Sequence, residues 1–145
     1  MKSHVKAAIF LSLIAPAVWA IPSPQTVHAY KSPTCECCEK WITHMNANGF
    51  KVITHEVNNV VDQKTRLGVP MALASCHTAE IGGYFIEGHV PAGDIKKLLA
   101  EKPDARGLDV PGMPTSAPGM SDTSKVPYAV LLVKKDGTTA TYARY

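Results

Sequence analysis

The sequence carries no surplus of charge, no second long apolar run and no second separated pair of cysteines. Each absence excludes something. Lys and Arg number 15 against 12 Asp and Glu, and the 15 fall to 13 once Lys2 and Lys6 leave with the leader described next. A balance that close to neutral does not call for nucleic acid or an anionic membrane surface as partner. The one apolar run, residues 7–17, is about eleven residues long and too short to span a bilayer. It follows the positive start of Lys2 and Lys6 and precedes Val18-Trp19-Ala20. That order reads as a secretory signal peptide, residues 1–20, cleaved after Ala20. A retained membrane anchor is the competing reading. No cysteine follows the cut, so a lipoprotein anchor is not suggested. With no later apolar run, the exported chain is expected to be soluble in the periplasm and free of the membrane. No Ser/His/Asp arrangement, phosphate-binding glycine loop or paired-carboxylate motif is present, which argues against a hydrolase or a nucleotide-dependent enzyme.

What is present is sulfur in one place. Four cysteines in a small exported chain ordinarily imply two disulfides spread over distant segments. Here Cys35, Cys37 and Cys38 crowd into four positions, and Cys76 stands apart beside His77.

The 145 residues suit one domain. Residues 21–26 form a short proline-bearing leader, and residues 27–145 form the domain. Residues 27–31 read as a strand that Pro33 ends. Thr34 suits a helix N-cap, and Glu36 and Glu39 suit its first turn. Cys38, Trp41, Ile42 and Met45 recur at helical spacing, and Asn48-Gly49 closes the helix. Residues 50–57 read as a second strand and 60–67 as a short helix ending at Gly68. Residues 73–81 and 84–86 read as strands joined by Gly82-Gly83. Val90-Pro91 opens a helix with Ile95, Leu98 and Leu99 inward, which Pro103 stops. Residues 107–127 lose all periodicity, are rich in proline and glycine, and repeat Pro-Gly-Met at Pro111-Gly112-Met113 and Pro118-Gly119-Met120. A loop of that length inside a compact domain is usually functional or disordered. Residues 128–133 and 138–142, around Asp136-Gly137, make a closing hairpin. The order predicts an α/β fold: a thioredoxin-like mixed sheet with flanking helices, a long Pro/Gly/Met loop and a C-terminal β-hairpin. A generic α/β sandwich is the alternative.

The cysteines sit where thiolate is favoured. Unpaired N–H groups and the dipole at a helix start stabilise an anion and lower a thiol's pKa. A spacing of three puts Cys35 and Cys38 on one side, whereas Cys37 lies about 100° from Cys38 on an ideal wheel. Only an irregular first turn, or more than one metal, lets all three share a site. Soft sulfur selects Cu(I), zinc or iron–sulfur centres. Zinc sites usually present two separated C-x-x-C pairs, and one is present here. Methionine suits Cu(I) better than zinc, so the candidate metal ligands are Cys35, Cys37, Cys38, Cys76, His77, Met113 and Met120. Blander readings stand beside this one. The cysteine run could be a structural disulfide with a spare thiol. Cys76 could be a small buried apolar residue or a disulfide partner of Cys37, and His77 a satisfied strand histidine. Met113 and Met120 could plug the loop onto the core. Met45 and Met71 are assigned to packing. His44, His55 and His89 carry no spacing signal and are assigned to surface or structure, and His28 is left unassigned. In a thiol–disulfide oxidoreductase, Cys35 would attack and Cys38 resolve. A third reading couples thiol redox to copper valence.

Tyr30-Lys31-Ser32-Pro33-Thr34-Cys35-Glu36-Cys37-Cys38, Gly68-Val69-Pro70, Ser75-Cys76-His77-Thr78-Ala79, Gly88-His89-Val90-Pro91 and Pro111-Gly112-Met113-Pro114 together resemble the DUF411 family, which includes the CopG-like periplasmic proteins of bacterial copper-resistance clusters. The resemblance runs from Val27 to Tyr145. Many members carry glycine where this chain has Glu36. The resemblance implies a thioredoxin-like fold and copper handling, with a multinuclear Cu(I) cluster held by Cys35, Cys37, Cys38 and Cys76. It extends less directly to His77, Met113 and Met120. Copper ions, and other periplasmic copper-handling proteins, are the partners it implies. It does not choose between sequestration and redox activity toward copper.

Overall fold

The residues that share one helical face in the sequence, Cys38, Trp41, Ile42 and Met45, are the buried residues of helix α1 (Glu36–Ala47). The computed structural model describes residues 24–120 and 125–145. The expected signal peptide, residues 1–20, and half of the expected leader, residues 21–23, therefore lie outside the described residues. None of the described helices is long and apolar enough to cross a membrane.

Strand β1 (Thr26–Lys31) leads into α1, and β2 (Lys51–Glu56) returns parallel to β1. Helix α2 (Val60–Leu67) starts at Asn59, whose side chain accepts the Val61 N–H, and stops at Gly68. Strands β3 (Thr78–Ile81) and β4 (Tyr84–Glu87) form an antiparallel hairpin. Helix α3 (Ala92–Glu101) precedes β5 (Ala105–Asp109), which runs parallel to β4. The closing hairpin is β6 (Ala129–Lys134) and β7 (Thr139–Arg144). All seven strands make one sheet in the order β2-β1-β3-β4-β5-β6-β7. The expected α/β class stands, and the β2-β1-β3-β4 half follows the thioredoxin-like plan.

Residues paired across a sheet share a face, and the two faces differ sharply. Val27, Ala29, Ala79, Ile86 and Leu108 pack with Trp41, Met45, Ile95 and Leu98 into the main core under α1 and α3. On the reverse face Tyr30, Thr78, Glu87 and Asp109 are successive cross-strand partners. Helix α2 lies over that side, and its one buried residue is Lys64, ion-paired to the fully buried Glu87.

Three expectations are corrected. Thr34 does not cap α1; the N-cap is Cys35, with no side-chain cap bond. A thiol is a poor substitute for a hydroxyl or carboxylate acceptor, so the first turn gains no side-chain cap from Cys35. The strand predicted from residue 73 begins at Thr78. Met71–Leu73 is a single 3-10 turn, and the Ser75 N–H donates to the Glu87 carboxylate at 2.6 Å instead of to a ladder. Third, the predicted loop from residue 107 begins inside β5. Ala-Arg-Gly-Leu-Asp has little intrinsic strand preference. Its place is set by neighbours: a Cβ on Gly107 would lie 2.0 Å from the Phe85 carbonyl oxygen. Glycine is what lets β5 close on β4.

Candidate metal centre

The Sγ atoms of Cys35, Cys37, Cys38 and Cys76 all lie within 4.8 Å of one another. Sequence spacing alone left Cys37 turned away, and the N-cap resolves this. Cys35 is extended (φ −81°, ψ 91°) rather than helical, so its side chain leaves the helical wheel. Its sulfur is 3.7 Å from that of Cys37 and is bonded to that of Cys38. Cys37 and Cys76 are free thiols. The irregular first turn that a shared site requires is therefore present.

Cys76 comes from the segment leading into β3 and carries a second constellation. His77 Nδ1 lies 3.3 Å from its sulfur and His89 Nε2 lies 3.1 Å from it. The ligand atoms of Cys76, His77 and His89 also fall within 4.8 Å of one another. His89 is the residue that sequence reasoning missed. The signal was the Gly82-Gly83 turn. It sets Ile81 opposite Tyr84 and Thr78 opposite Glu87, and two more steps of that register place Cys76 opposite His89. The Gly88 N–H donating to the His77 carbonyl at 3.0 Å keeps the alignment beyond the strands.

The tautomer of His89 follows from its partners. Its Nδ1 is 2.7 Å from the Pro118 carbonyl oxygen, which can only accept. Nδ1 therefore carries the proton, and Nε2 turns its lone pair toward Cys76. A hydrogen bond of this kind orients an imidazole ligand and raises its basicity. Burial lowers the pKa of His89, and burial followed by the charge of His89 and Lys64 lowers that of His77 further. Both rings are thus neutral at pH 7 and able to donate to a metal. Cys76 is opposite in sense: burial, then the neighbouring Cys37, pushes its thiol up to about 12. A metal that binds there must displace a proton.

The long loop reaches the site through its backbone more than its methionines. Pro118 supplies the carbonyl that holds His89. Gly119, at φ 86°, sits on α1 so tightly that a Cβ would lie 2.6 Å from the Trp41 nitrogen and 3.1 Å from the Cys37 oxygen. Met113 is 44% exposed and lines a shallow cavity of about 340 Å³ with Ala74, Ser75, Cys76 and Gly112. Met120 packs, partly buried, against the main core. We expect Gly119→Val to lift the loop from α1 and loosen His89. Metal affinity should fall about 10–100-fold, the range for a lost orienting group. A competitive metal titration checks this, with circular dichroism expected to match that of the parent.

A buried acid couples this region to pH. Asp109 is fully buried beside Glu87. Burial first and Glu87 second push its carboxyl up to about 8, against the pull of Lys64. A carboxyl raised above its unfolded pKa of about 3.9 holds its proton longer in the fold, so stability is lost as pH rises toward 8. His77 and His89 act oppositely. The unfolded imidazole takes up a proton below about pH 6.5 and the buried one resists, so stability is lost as pH falls through that range. The metal-free protein should therefore be most resistant to urea near about pH 6.5. Asp109→Asn should flatten the decline between about pH 6.5 and 8, and an unchanged decline in the variant contradicts the assignment.

The profile of the family described as "Protein of unknown function, DUF411" matches residues 73–120. That span contains Cys76, His77, His89, Met113, Pro118 and Met120. Two solved structures titled "Copper resistance protein copG", Form 2 and Form 1, are 43% identical to the chain. Each covers 84% of this chain and 98% of its own, with TM-scores of 0.80 and 0.79. No match is found among curated proteins.

Proposed function

This chain belongs to the DUF411 family of CopG-like proteins, and from that premise we propose that it binds copper in the periplasm as part of copper resistance. The metal is held as Cu(I), in more than one equivalent, by Cys35, Cys37, Cys38 and Cys76. One observation carries the reading: four sulfurs from two distant segments within 4.8 Å. Thiolates that close can bridge, and bridging lets several soft ions share one pocket. His77 and His89 extend the donor set from Cys76, and Met113 stands at the open side. With the Cys35–Cys38 bond reduced, all four sulfurs are available. Each thiol that binds gives up its proton, so uptake releases acid. Export by the signal peptide of residues 1–20 brings the protein to where copper arrives, with other periplasmic copper-handling proteins as its exchange partners.

The test is anaerobic titration of the reduced protein against a competing Cu(I) chelator, with proton release followed in weak buffer. More than one equivalent of tightly held Cu(I), with protons released, is expected. Failure to compete while the thiols are verified as reduced ends this reading.

A second reading rests on the Cys35–Cys38 bond at the start of α1. A dithiol pair at a helix start, Cys35 attacking and Cys38 resolving, is the arrangement of a thiol–disulfide oxidoreductase. Insulin reduction separates the cases. Turnover by a Cys37→Ser, Cys76→Ser variant equal to that of the parent favours the oxidoreductase. The coupling of copper valence to thiol redox is tested by stopped-flow detection of Cu(II) as the thiolate–copper absorption disappears.

A further inference from the structure

On the reverse face of the sheet, away from α1 and the sulfurs, two imidazoles converge. His28 of β1 and His55 of β2 lie on neighbouring parallel strands, offset by two residues, since His28 is paired with Ile53 and Tyr30 with His55. On a pleated sheet that offset is a same-face diagonal. His28 Nδ1 is 3.0 Å from His55 Nε2, and the rings lie within 20° of parallel. Both side chains are half-buried and open to solvent on one side.

The surroundings hold one of these rings and supply charge. Tyr30 stacks on His55 with centroids 4.8 Å apart and interplanar angle 16°. The Tyr30 hydroxyl donates to Glu80 at 2.7 Å, and Arg66 pairs with the same carboxylate at 3.1 Å. Glu80 is the cross-strand partner of His28. The ring stack is therefore pinned through Tyr30, and a carboxylate stands beside His28.

Across this distance one imidazole donates its N–H to the lone pair of the other, and once the donor ring takes its other tautomer both lone pairs can bind a divalent ion between them. Metal–imidazole bonds are about 2.0 Å, so a nitrogen pair 3.0 Å apart subtends close to a right angle at the metal, about 97°. The nitrogens face each other nearly end to end, so each half-exposed ring turns by about 40° to aim its lone pair at that point. A right-angled nitrogen pair with the remaining positions left to water is tetragonal geometry, which Cu(II) and Ni(II) prefer. Among first-row divalent ions Cu(II) binds such donors most tightly.

We propose that His28 and His55 form a second, nitrogen-only metal site for divalent ions, Cu(II) foremost. The site stands apart from the thiolate pocket in donor type and in place. Imidazole takes the oxidised, harder ion, and the sulfur cluster takes the reduced, softer one. The proposal does not rest on the thiolate reading, and either can fail without the other.

The experiment uses the full chain with its thiols capped by iodoacetamide, so that Cu(II) is neither reduced nor drawn to sulfur. Cu(II) is added to one equivalent and followed by electron paramagnetic resonance and pulsed detection of imidazole nitrogen. A tetragonal spectrum with two imidazole nitrogens is expected, with affinity lowered at least tenfold in His28→Gln and in His55→Gln alike. The uncapped single variants should keep the parent's Cu(I) uptake. As a second readout, paramagnetic Cu(II) should broaden amide resonances around residues 28, 55 and 80 before those around 77 and 89. A spectrum that survives the His28→Gln, His55→Gln double variant overturns the proposal. So does first broadening at 77 and 89, or the absence of a bound Cu(II) spectrum.

Discussion

Replacing Lys64 by alanine should destabilise the metal-free protein by about 3–5 kcal/mol, the cost of removing one partner from a buried ion pair. Lys64 and Glu87 are 4% and 0% exposed, so solvent screens neither. Glu87 also accepts the Ser75 N–H at 2.6 Å, one residue before Cys76. Left unpaired, the carboxylate must either stay charged in the interior or take up a proton, as Asp109 beside it already does below about pH 8. Urea unfolding at pH 7 measures the loss. Replacing both partners by methionine should cost much less, because no buried charge is then orphaned. If Lys64→Ala costs under about 1 kcal/mol, typical of a surface pair, the buried-pair account is wrong. Cys76 should also become more reactive to a thiol reagent in Lys64→Ala, since the segment that carries it loses its anchor.

Cys76→Ser should have the largest effect on metal. Cys76 belongs to both constellations, that of the cysteines of α1 and that of His77 and His89. Its loss removes the one sulfur common to both and separates the two. Cu(I) affinity should drop by more than the about 10–100-fold that follows loss of an orienting group, and the number of equivalents bound should fall. His89→Ala should stay inside that range. Competitive titration of the two variants beside the parent gives the order. Equal losses would place Cys76 at the margin of the site.

Much of this was legible from the residues, for identifiable reasons. Helix α1 announced itself because Trp41, Ile42 and Met45 bury a stripe at helical spacing. The end of helix α2 was marked by Gly68, though its buried residue turned out to be a lysine. The Gly82-Gly83 turn was seen, yet the register it imposes was not followed as far as His89. Strand β5 was hidden because what selects it is the approach of Phe85 to Gly107, a property of neighbours that no local pattern records. Glu87 and Asp109 look like surface residues in the sequence, and no local pattern shows that Lys64 of α2 and the Ser75 segment close over Glu87. The Pro-Gly-Met repeat drew attention to its methionines, whereas Pro118 and Gly119 make the close contacts.

X-ray absorption at the copper edge of Cu(I)-loaded, reduced protein examines the shared sulfur pocket most directly. A first shell dominated by sulfur, with a copper–copper scattering path that weakens or disappears in Cys76→Ser, is the predicted result. A shell of nitrogen and oxygen, or a sulfur shell indifferent to loss of Cys76, would contradict it.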